Sequence, residues 1–239
     1  MPQAKYKRVL IKLSGEALMG DAAFGISHAV LDYVADEIGK VARLGVEVGL
    51  VIGAGNLFRG VSGSAEGMNR AAADNMGMLA TVMNSLALKD TLDQKNIPTA
   101  VLSAIPMETV CEPYSQRRAL AHMAAGQAVI FAAGTGNPYF TTDTAGVLRG
   151  LEIGAQLICK ATRVNGVYDK DPLIHDDAVK FDQLTFSEVL DRRLAVMDAA
   201  AISLAMENNH KLLVFDLNIP GNIEQAVCGA QVGTLIKGA

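Results

Sequence analysis

The sequence contains no tryptophan, and its tyrosines and phenylalanines bring the aromatic content to only 5%. Basic residues are also too few for a positive balance, because 21 Lys and Arg stand against 25 Asp and Glu, for a net charge of -4. Nucleic-acid binders normally present a basic face, and single-strand binders add aromatic rings on which bases stack. We therefore expect no nucleic-acid partner.

Cysteine is scarce: the chain has only Cys111, Cys159 and Cys228, and no CxxC pair. Such an odd, scattered set argues against a disulfide framework or a zinc site and fits a reducing cytoplasm, so we expect buried, inert thiols. Long apolar runs are lacking as well. No window approaches the roughly 20 residues of a membrane span, and the N-terminus has no signal-peptide core. We expect a cytoplasmic protein without membrane contact.

Apolar side chains and glycine are what the chain has in quantity. Hydrophobic residues make up 50% of its 239 residues, and 23 residues are glycine. A chain of this composition buries enough apolar surface to offset the entropy lost on ordering, which excludes intrinsic disorder. The length fits a single domain or two intimately joined lobes.

Short apolar runs alternate along the chain with glycine turns and helical periodicities. Because the runs do not alternate with polar residues, they predict strands covered on both faces, as in a parallel sheet between helices. We predict an α/β fold, a three-layer αβα sandwich around a mainly parallel sheet, in one domain over residues 1–239 with lobes of about 1–150 and about 151–239. The predicted strands cover 8–13, 46–52, 101–102, 128–131, 156–160, 212–216 and 233–236, and the helices 31–42, 72–93, 186–194, 196–208 and 223–227.

Three glycine-bearing loops follow predicted strands, at 12–15, 53–56 and 134–137. Glycine lets backbone N–H groups approach an anion closely, and a following helix adds its positive N-terminal end. A tight turn would explain any one of these loops, but three together, with lysine and arginine beside them, favour a phosphate-rich ligand. The P-loop, dinucleotide-binding and protein-kinase motifs are all absent from the sequence.

A lysine and an arginine lie in or beside these loops, and a second lysine lies at the end of a later strand. Lys12 lies in an otherwise apolar strand, where it is costly unless it meets an anion, so we favour a cation at transferred phosphate over an edge lysine that extends into solvent. Lys160 repeats this position at the end of a later strand. Arg59 lies just beyond the second loop, where a guanidinium can bind phosphate with two N–H groups, although a surface salt bridge would explain Arg59 alone better.

Residues 135–143 form the densest polar stretch, with hydroxyl, amide and carboxylate groups around two aromatic rings. Such a loop can bind a sugar, a base edge and a phosphate. The same residues also predict an Asn-Pro turn and a Thr or Asp helix cap, and the two interpretations are compatible.

Asp143 and Asp198 are the candidate acidic groups near transferred phosphate. Asp198 lies in the nearly apolar run 194–201, so it is either a helix cap or a buried carboxylate paired with Lys12 or Mg²⁺, and the sequence leaves both open. A stripe of apolar residues on the long predicted helix is typical of core or of a subunit contact; it comprises Met76, Leu79, Met83 and Leu86.

From Tyr6 to Ile236 the chain resembles the amino acid kinase family. The resemblance lies in residues 12–18, 55–60, 68–81, 134–143, 160–168 and 196–198, and the stretches GNLFRG, MGMLAT and GTGNPYFTTD separate the chain from relatives that phosphorylate carboxylates. It implies Mg²⁺-dependent transfer of the ATP γ-phosphate to UMP, giving UDP and ADP in de novo pyrimidine nucleotide biosynthesis.

The resemblance also implies roles for individual residues. Lys12, Asp143, Lys160 and Asp198 would be catalytic, and no residue is assigned as a direct Mg²⁺ ligand. The implied ATP site comprises Lys12, Leu13, Ser14, Gly15, Gly55, Arg59, Thr162, Tyr168 and Asp171. The implied UMP site comprises Ala54, Asp74, Thr135, Gly136, Asn137, Pro138, Tyr139, Phe140, Thr141 and Thr142.

Regulation and assembly are further implications of the resemblance: a homohexamer, inhibition by UTP and activation by GTP. The segment associated with GTP comprises Gly20, Asp21, Ala22, Ala23, Phe24 and Gly25. Two other functions stay open on the residues alone, a kinase for glutamate, aspartate or carbamate and a nucleotide-binding assembly without catalysis. The long loop 135–142 suits a nucleotide better than a small acid.

Overall fold

The structure, a computed structural model, describes residues 3–58 and 67–238. Its strands are β1 Arg8–Leu13, β2 Glu47–Ile52, β3 Thr99–Ser103, β4 Glu112–Pro113, β5 Ala128–Ala132, β6 Leu157–Thr162, β7 Val167–Tyr168, β8 Lys180–Phe181, β9 Gln183–Thr185, β10 Leu212–Asp216 and β11 Thr234–Lys237. Its helices are α1 His28–Arg43, α2 Arg70–Gln94, α3 Gln116–Ala124, α4 Thr142–Glu152, α5 Phe186–Asp191, α6 Ala199–Glu207 and α7 Asn222–Val227, and a 3₁₀ helix spans Gly15–Met19.

Nine strands form one sheet in the order β4-β3-β5-β2-β1-β6-β10-β11-β9. Every neighbouring pair is parallel except β10 and β11, and β7 pairs with β8 in a separate hairpin. The predicted sandwich around a mainly parallel sheet is therefore confirmed. β1 lies between strands of the first half of the chain and strands of the second half, and its carboxyl end is where ligands of such sheets bind.

The two faces of the sheet carry separate hydrophobic cores. Val9, Ile11 and Leu13 of β1 belong to the core under α1, α2 and α7, whereas Leu10 belongs to the core under α3, α4, α5 and α6. Side chains alternate across a strand, so Lys12 points to the same face as Leu10. The pleat of β1 thus directs the one lysine within the strand toward α4.

Several predicted boundaries agree with the structure. β1 and β10 match their predicted ranges, and α1 ends just before Gly45, whose φ of +74° few other residues would adopt. The predicted helix 196–208 is wrong at its start, because Asp198 caps the helix and the first helical residue is Ala199.

Of the two alternatives for the α2 stripe, core or subunit contact, core is excluded within this chain for three of its four residues, while Leu86 is half-buried against the core. Met76, Leu79 and Met83 are 42%, 50% and 57% exposed, and the buried face of α2 carries Met78, Val82 and Leu88 instead.

Within the described ranges, no helix is long and apolar enough to cross a membrane. Cys111 and Cys159 are buried free thiols, as expected, and burial raises the pKa of Cys159 to about 12. The expectation is wrong for Cys228, which is only half-buried.

Candidate active site

Lys12 and Lys160 lie side by side at the carboxyl ends of two central strands. The parallel pairing of β1 with β6 places them directly opposite each other in register, and only 8% of Lys12 is exposed. Two ammonium groups so close together on one sheet face repel each other. The fold therefore needs a negative charge at this point.

Asp143 supplies that charge from the first turn of α4. Its Oδ1 lies 2.8 Å from Lys12 Nζ and its Oδ2 lies 2.8 Å from Lys160 Nζ. Burial alone would raise the pKa of Asp143, but the two ammonium groups outweigh burial and lower it. Burial lowers the pKa of Lys160, against the opposing attraction of Asp143. The three predicted residues form one buried cluster, the Lys12–Asp143–Lys160 triad.

Asp198 lies beside the triad as a helix cap. Its Oδ1 accepts the Ala201 N–H at 2.8 Å at the start of α6, and its carboxylate also accepts the hydroxyl protons of Thr141 and Thr144. Thr141 in turn caps α4 by accepting the Asp143 N–H. The structure shows Asp198 as a helix cap, and it pairs Lys12 with Asp143 and not with Asp198. Asp198 joins the starts of α4 and α6 and so positions Asp143.

The first two glycine loops touch through their backbones. A Cβ on Gly15 would lie 2.6 Å from the carbonyl of Gly53 and 2.7 Å from the Gly55 nitrogen, so no side chain fits there. Asn84 secures this contact from α2, because its amide donates to the Gly53 carbonyl at 2.7 Å and to Asn56. Bare backbone at this point leaves room for an anion close to the main chain.

The larger of two neighbouring cavities, about 630 Å³, opens beside the triad. Five residues of the predicted ATP site line it, and Arg163, Arg192 and Arg193 add positive charge to its wall. Leu13 is fully buried in the core, its carbonyl accepts the Gly53 N–H, and it lines neither cavity. The predicted residues in the wall are Lys12, Ser14, Thr162, Tyr168 and Asp171, joined by Lys160.

The smaller cavity, about 380 Å³, is bordered by the start of α4, the start of α2 and the second and third glycine loops. Gly55 lies in its wall and not in that of the larger cavity, while Gly136, Pro138 and Tyr139 lie outside the wall. Arg59 falls outside the described residues. The predicted UMP-site residues in the wall are Ala54, Asp74, Thr135, Asn137, Phe140, Thr141 and Thr142.

Asp74 holds the segment just after the third glycine loop against α2. One oxygen, Oδ2, accepts both Arg70 Nε and the Tyr139 N–H, each at 2.7 Å. Tyr139 adopts a φ of +72°, which is strained for a residue other than glycine. Asp74 lies in the wall of the smaller cavity, where its carboxylate can accept a further hydrogen bond from a ligand hydroxyl.

Thr81 and Asn84 support the site but were not predicted as functional residues. Both are buried polar residues of α2, and Thr81 Oγ1 accepts the Ala133 N–H at 2.8 Å where the third glycine loop begins. Both lie on the face of α2 opposite the exposed methionines. A buried polar group needs a hydrogen-bond partner, so polar residues on this inner face were the sequence signal that could have identified them.

The segment 20–25 lines neither of these cavities and is mostly exposed. Its last residue is tied to the second glycine loop, because the Gly25 N–H donates to the Asn56 carbonyl at 3.0 Å and Asn56 Nδ2 donates to the Gly25 carbonyl at 2.9 Å. A conformational change in this segment would therefore shift the second glycine loop, which borders the smaller cavity.

In residues 3–58 and 67–238, no group of three or more His, Cys, Asp or Glu side chains is arranged to hold a metal ion. The carboxylate of Asp143 is neutralised by two lysines, and that of Asp198 is occupied by helix capping. A divalent cation at this site would find its oxygen ligands on a phosphate substrate.

Comparison with known proteins relates the whole chain to one family. Residues 7–216 match the model of the amino acid kinase family. The uridylate kinase of Marinobacter nauticus is 56% identical over 235 residues, which cover 98% of this chain and 97% of that protein.

Solved structures give the same result. The UMP kinase of Bacillus anthracis superposes with a TM-score of 0.93 at 40% identity, covering 97% of this chain and 96% of that one. The UMP kinase of Ureaplasma parvum has a TM-score of 0.91 at 36% identity, covering 98% and 99%. The uridylate kinase of Archaeoglobus fulgidus, at 28% identity, has a TM-score of 0.74 and covers 95% and 99%.

Proposed function

The chain belongs to the amino acid kinase family, and we propose that it is a nucleoside monophosphate kinase that transfers the γ-phosphoryl group of ATP to UMP, giving UDP and ADP. One observation carries this proposal: the Lys12–Asp143–Lys160 triad links the walls of the two cavities at the carboxyl ends of the central strands. Lys12 and Lys160 line the larger cavity, and Thr142, the neighbour of Asp143, lines the smaller one. A donor and an acceptor held in these cavities would meet beside the triad.

ATP is assigned to the larger cavity, in the lobe formed mainly by the second half of the chain. Its volume suits a nucleotide, and its wall combines the triad lysines with Thr162, Tyr168 and Asp171 for the adenosine. The three arginines in the wall would attract the triphosphate.

UMP is assigned to the smaller cavity, in the lobe formed mainly by the first half. Asp74 would accept a ribose hydroxyl, and Thr135 and Asn137 would contact the base. The start of α4 supplies backbone N–H groups and a positive helix end for the phosphate. A small amino acid would leave much of these 380 Å³ unfilled.

Transfer between two phosphate groups requires that their negative charges be neutralised and that the groups be aligned. The acceptor is a phosphate monoester, largely ionised near neutral pH, so no strong general base is needed. Two anionic groups must be brought together in line, and the ammonium groups of Lys12 and Lys160 would neutralise the charge that develops between them. Asp143 keeps both ammonium groups in place in the free enzyme.

Mg²⁺ would be held chiefly by the phosphates of ATP, and it would shield their negative charge. The donor set of the protein supports this arrangement, because the carboxylates nearest the triad are engaged by lysines and by helix N-termini.

We further propose that the enzyme acts in pyrimidine nucleotide biosynthesis in the cytoplasm. A homohexamer would use the exposed α2 stripe, UTP would inhibit, and GTP would activate through residues 20–25. The hydrogen bonds between Gly25 and Asn56 support an effect of that segment on the second glycine loop.

A panel of phosphate acceptors tests the proposed function. Purified protein is incubated with Mg²⁺ and ATP together with UMP, CMP, glutamate or carbamate, and ADP release is followed with a coupled assay. We expect turnover with UMP that clearly exceeds turnover with any other acceptor. ATP binding without turnover on any acceptor would support a nucleotide-binding assembly instead, and turnover on glutamate or carbamate would support another kinase.

A further inference from the structure

Arg149 of α4 is a buried cation that the proposed chemistry does not use. Only 5% of it is exposed, and its guanidinium carbon lies 3.8 Å from the ring centroid of Tyr114. Nη1 lies 2.6 Å from Glu152 Oε2, and the same carboxylate oxygen accepts the Tyr114 hydroxyl proton. Stacking on one side and the ion pair on another fix the plane of the guanidinium.

The fixed guanidinium also reaches the third glycine loop. Nη2 donates to the Gly134 carbonyl at 3.4 Å, in a buried setting. Ala133 and Gly134 have φ angles of +61° and +57°, an unusual pair of consecutive left-handed residues. Thr81 holds the Ala133 N–H from α2 at 2.8 Å. The start of the loop is therefore held from two helices, by Thr81 on α2 and by Arg149 on α4.

The contact between Arg149 and the Gly134 carbonyl also sets the direction of the next N–H group, that of Thr135. In a trans peptide the carbonyl and the following N–H point in opposite directions, and the Gly134–Thr135 peptide is trans. The Gly134 carbonyl points to Arg149, so the Thr135 N–H points away from it. Within the described part of the chain this N–H has no acceptor, while Gly134 and Thr135 both line the smaller cavity.

We propose that Arg149 is a positioning residue for acceptor selectivity: by holding the Gly134 carbonyl it turns the Thr135 N–H toward the smaller cavity, where that donor favours a base carbonyl over a base amino group. This inference rests on the proposed function. Uracil carries a carbonyl where cytosine carries an amino group, and an amino group would bring two donors face to face. Arg149 would thus favour UMP over CMP without touching either.

Arg8 provides a matched control. It also pairs with a glutamate, Glu47, and also donates to a backbone carbonyl, that of Ile153. Arg8 lies at the amino end of β1, however, at the opposite edge of the sheet from the two cavities. Loss of either arginine removes an ion pair and a carbonyl contact, but only Arg149→Met releases the third glycine loop.

The first measurement is amide hydrogen exchange in the ligand-free protein, which does not depend on the proposed function. We expect the peptide covering residues 133–140 to exchange about tenfold faster in Arg149→Met, because a hydrogen bond from a charged donor is lost. Arg8→Met should leave this peptide unchanged. Equal exchange in wild type and Arg149→Met would overturn the holding role. If the methionine variant does not fold, Arg149→Lys, which keeps the charge but not the planar guanidinium, provides the test, and this peptide should exchange faster than in wild type by a smaller factor.

The second measurement is the kinetic discrimination between UMP and CMP. In Arg149→Met the ratio of the two kcat/KM values should fall about tenfold, mainly through a higher KM for UMP, while KM for ATP stays within about twofold. Arg149→Lys should fall between wild type and Arg149→Met, and Arg8→Met should match wild type. An unchanged ratio, or an equal loss with both acceptors, would overturn the selectivity role. If wild type accepted neither nucleotide, the proposed function and the selectivity role would both fail, and exchange alone would decide the holding role.

Discussion

At Lys12 a single ammonium group is buried at the end of the central strand and held 2.8 Å from Asp143. The sequence predicted both residues as functional, because a lysine in an apolar strand needs an anion and because the Thr-rich loop ends in an aspartate. It could not predict that Lys160 lies opposite Lys12. That contact depends on the pairing of β1 with β6, which are nearly 150 residues apart in the chain.

Lys12→Ala should lower kcat by about 10²–10³-fold, because it removes a positive charge placed where negative charge develops during transfer. The Kd for UMP, measured by calorimetry, should change little, since the smaller cavity does not include Lys12. Lys7→Ala, an exposed lysine just before the same strand, serves as the control and should match wild type. Parallel losses in turnover and UMP affinity would contradict a role in the transition state.

His210 makes the fold sensitive to acid. Burial lowers its pKa, and its buried Nε2 has no hydrogen-bond partner in the described structure. Since the unfolded chain binds this proton more readily, stability is full above the ordinary histidine pKa near 6.5 and falls as pH drops through the lower folded value. As the pH drops from 7.5 to 5.5, the Tm of His210→Asn should therefore fall less than the Tm of wild type. The exposed His175→Asn should behave like wild type, and identical curves for all three proteins would refute this role.

Among the elements, the starts of α4 and α6 are joined by Asp198 through Thr141 and Thr144. Sequence patterns predicted the central strands well, since they are continuous apolar runs. They missed α3, which buries only Ala119 and Met123, and β4, a two-residue edge strand that contains Pro113. Elements with so few buried residues leave almost no periodic signal.

Asp198 variants separate capping from positioning. Asn caps helices as well as Asp, so Asp198→Asn should stay within about 1 kcal/mol of wild-type stability, whereas Asp198→Ala should lose about 1–2 kcal/mol. Both should lower kcat, by about tenfold or more, because Thr141 and Thr144 lose a charged acceptor and Asp143 shifts. Chemical unfolding and steady-state kinetics on the same samples check this. Full turnover in Asp198→Asn would contradict the positioning role, and an unfolded Asp198→Asn would show a purely structural one.

At the scale of the whole molecule, Met76, Leu79 and Met83 of the α2 stripe face solvent, and Met83 is 57% exposed. The sequence left core and subunit contact as alternatives for the stripe, and only the packing of α2 on the sheet excludes core. Strand order is another property of the whole molecule, because no local pattern indicates which distant strands become neighbours.

Met83→Glu should shift the protein to smaller assemblies, since it places a charge in the apolar surface that we expect another copy to cover. Sedimentation velocity at several concentrations measures the shift. Val179→Glu, which charges an exposed apolar residue of a distant loop, should leave the assembly unchanged. A wild-type protein that sediments as a monomer would contradict the use of this stripe in assembly.

The assignment of two substrates to the two cavities whose walls the Lys12–Asp143–Lys160 triad links is tested most directly by a crystal structure with UMP and a non-hydrolysable ATP analogue. We predict UMP among Asp74, Thr135 and Thr142, the adenine near Tyr168, and the terminal phosphate of the analogue within hydrogen-bond reach of Lys12 Nζ. Either nucleotide bound elsewhere, or Lys12 directed away from both phosphates, would contradict the account.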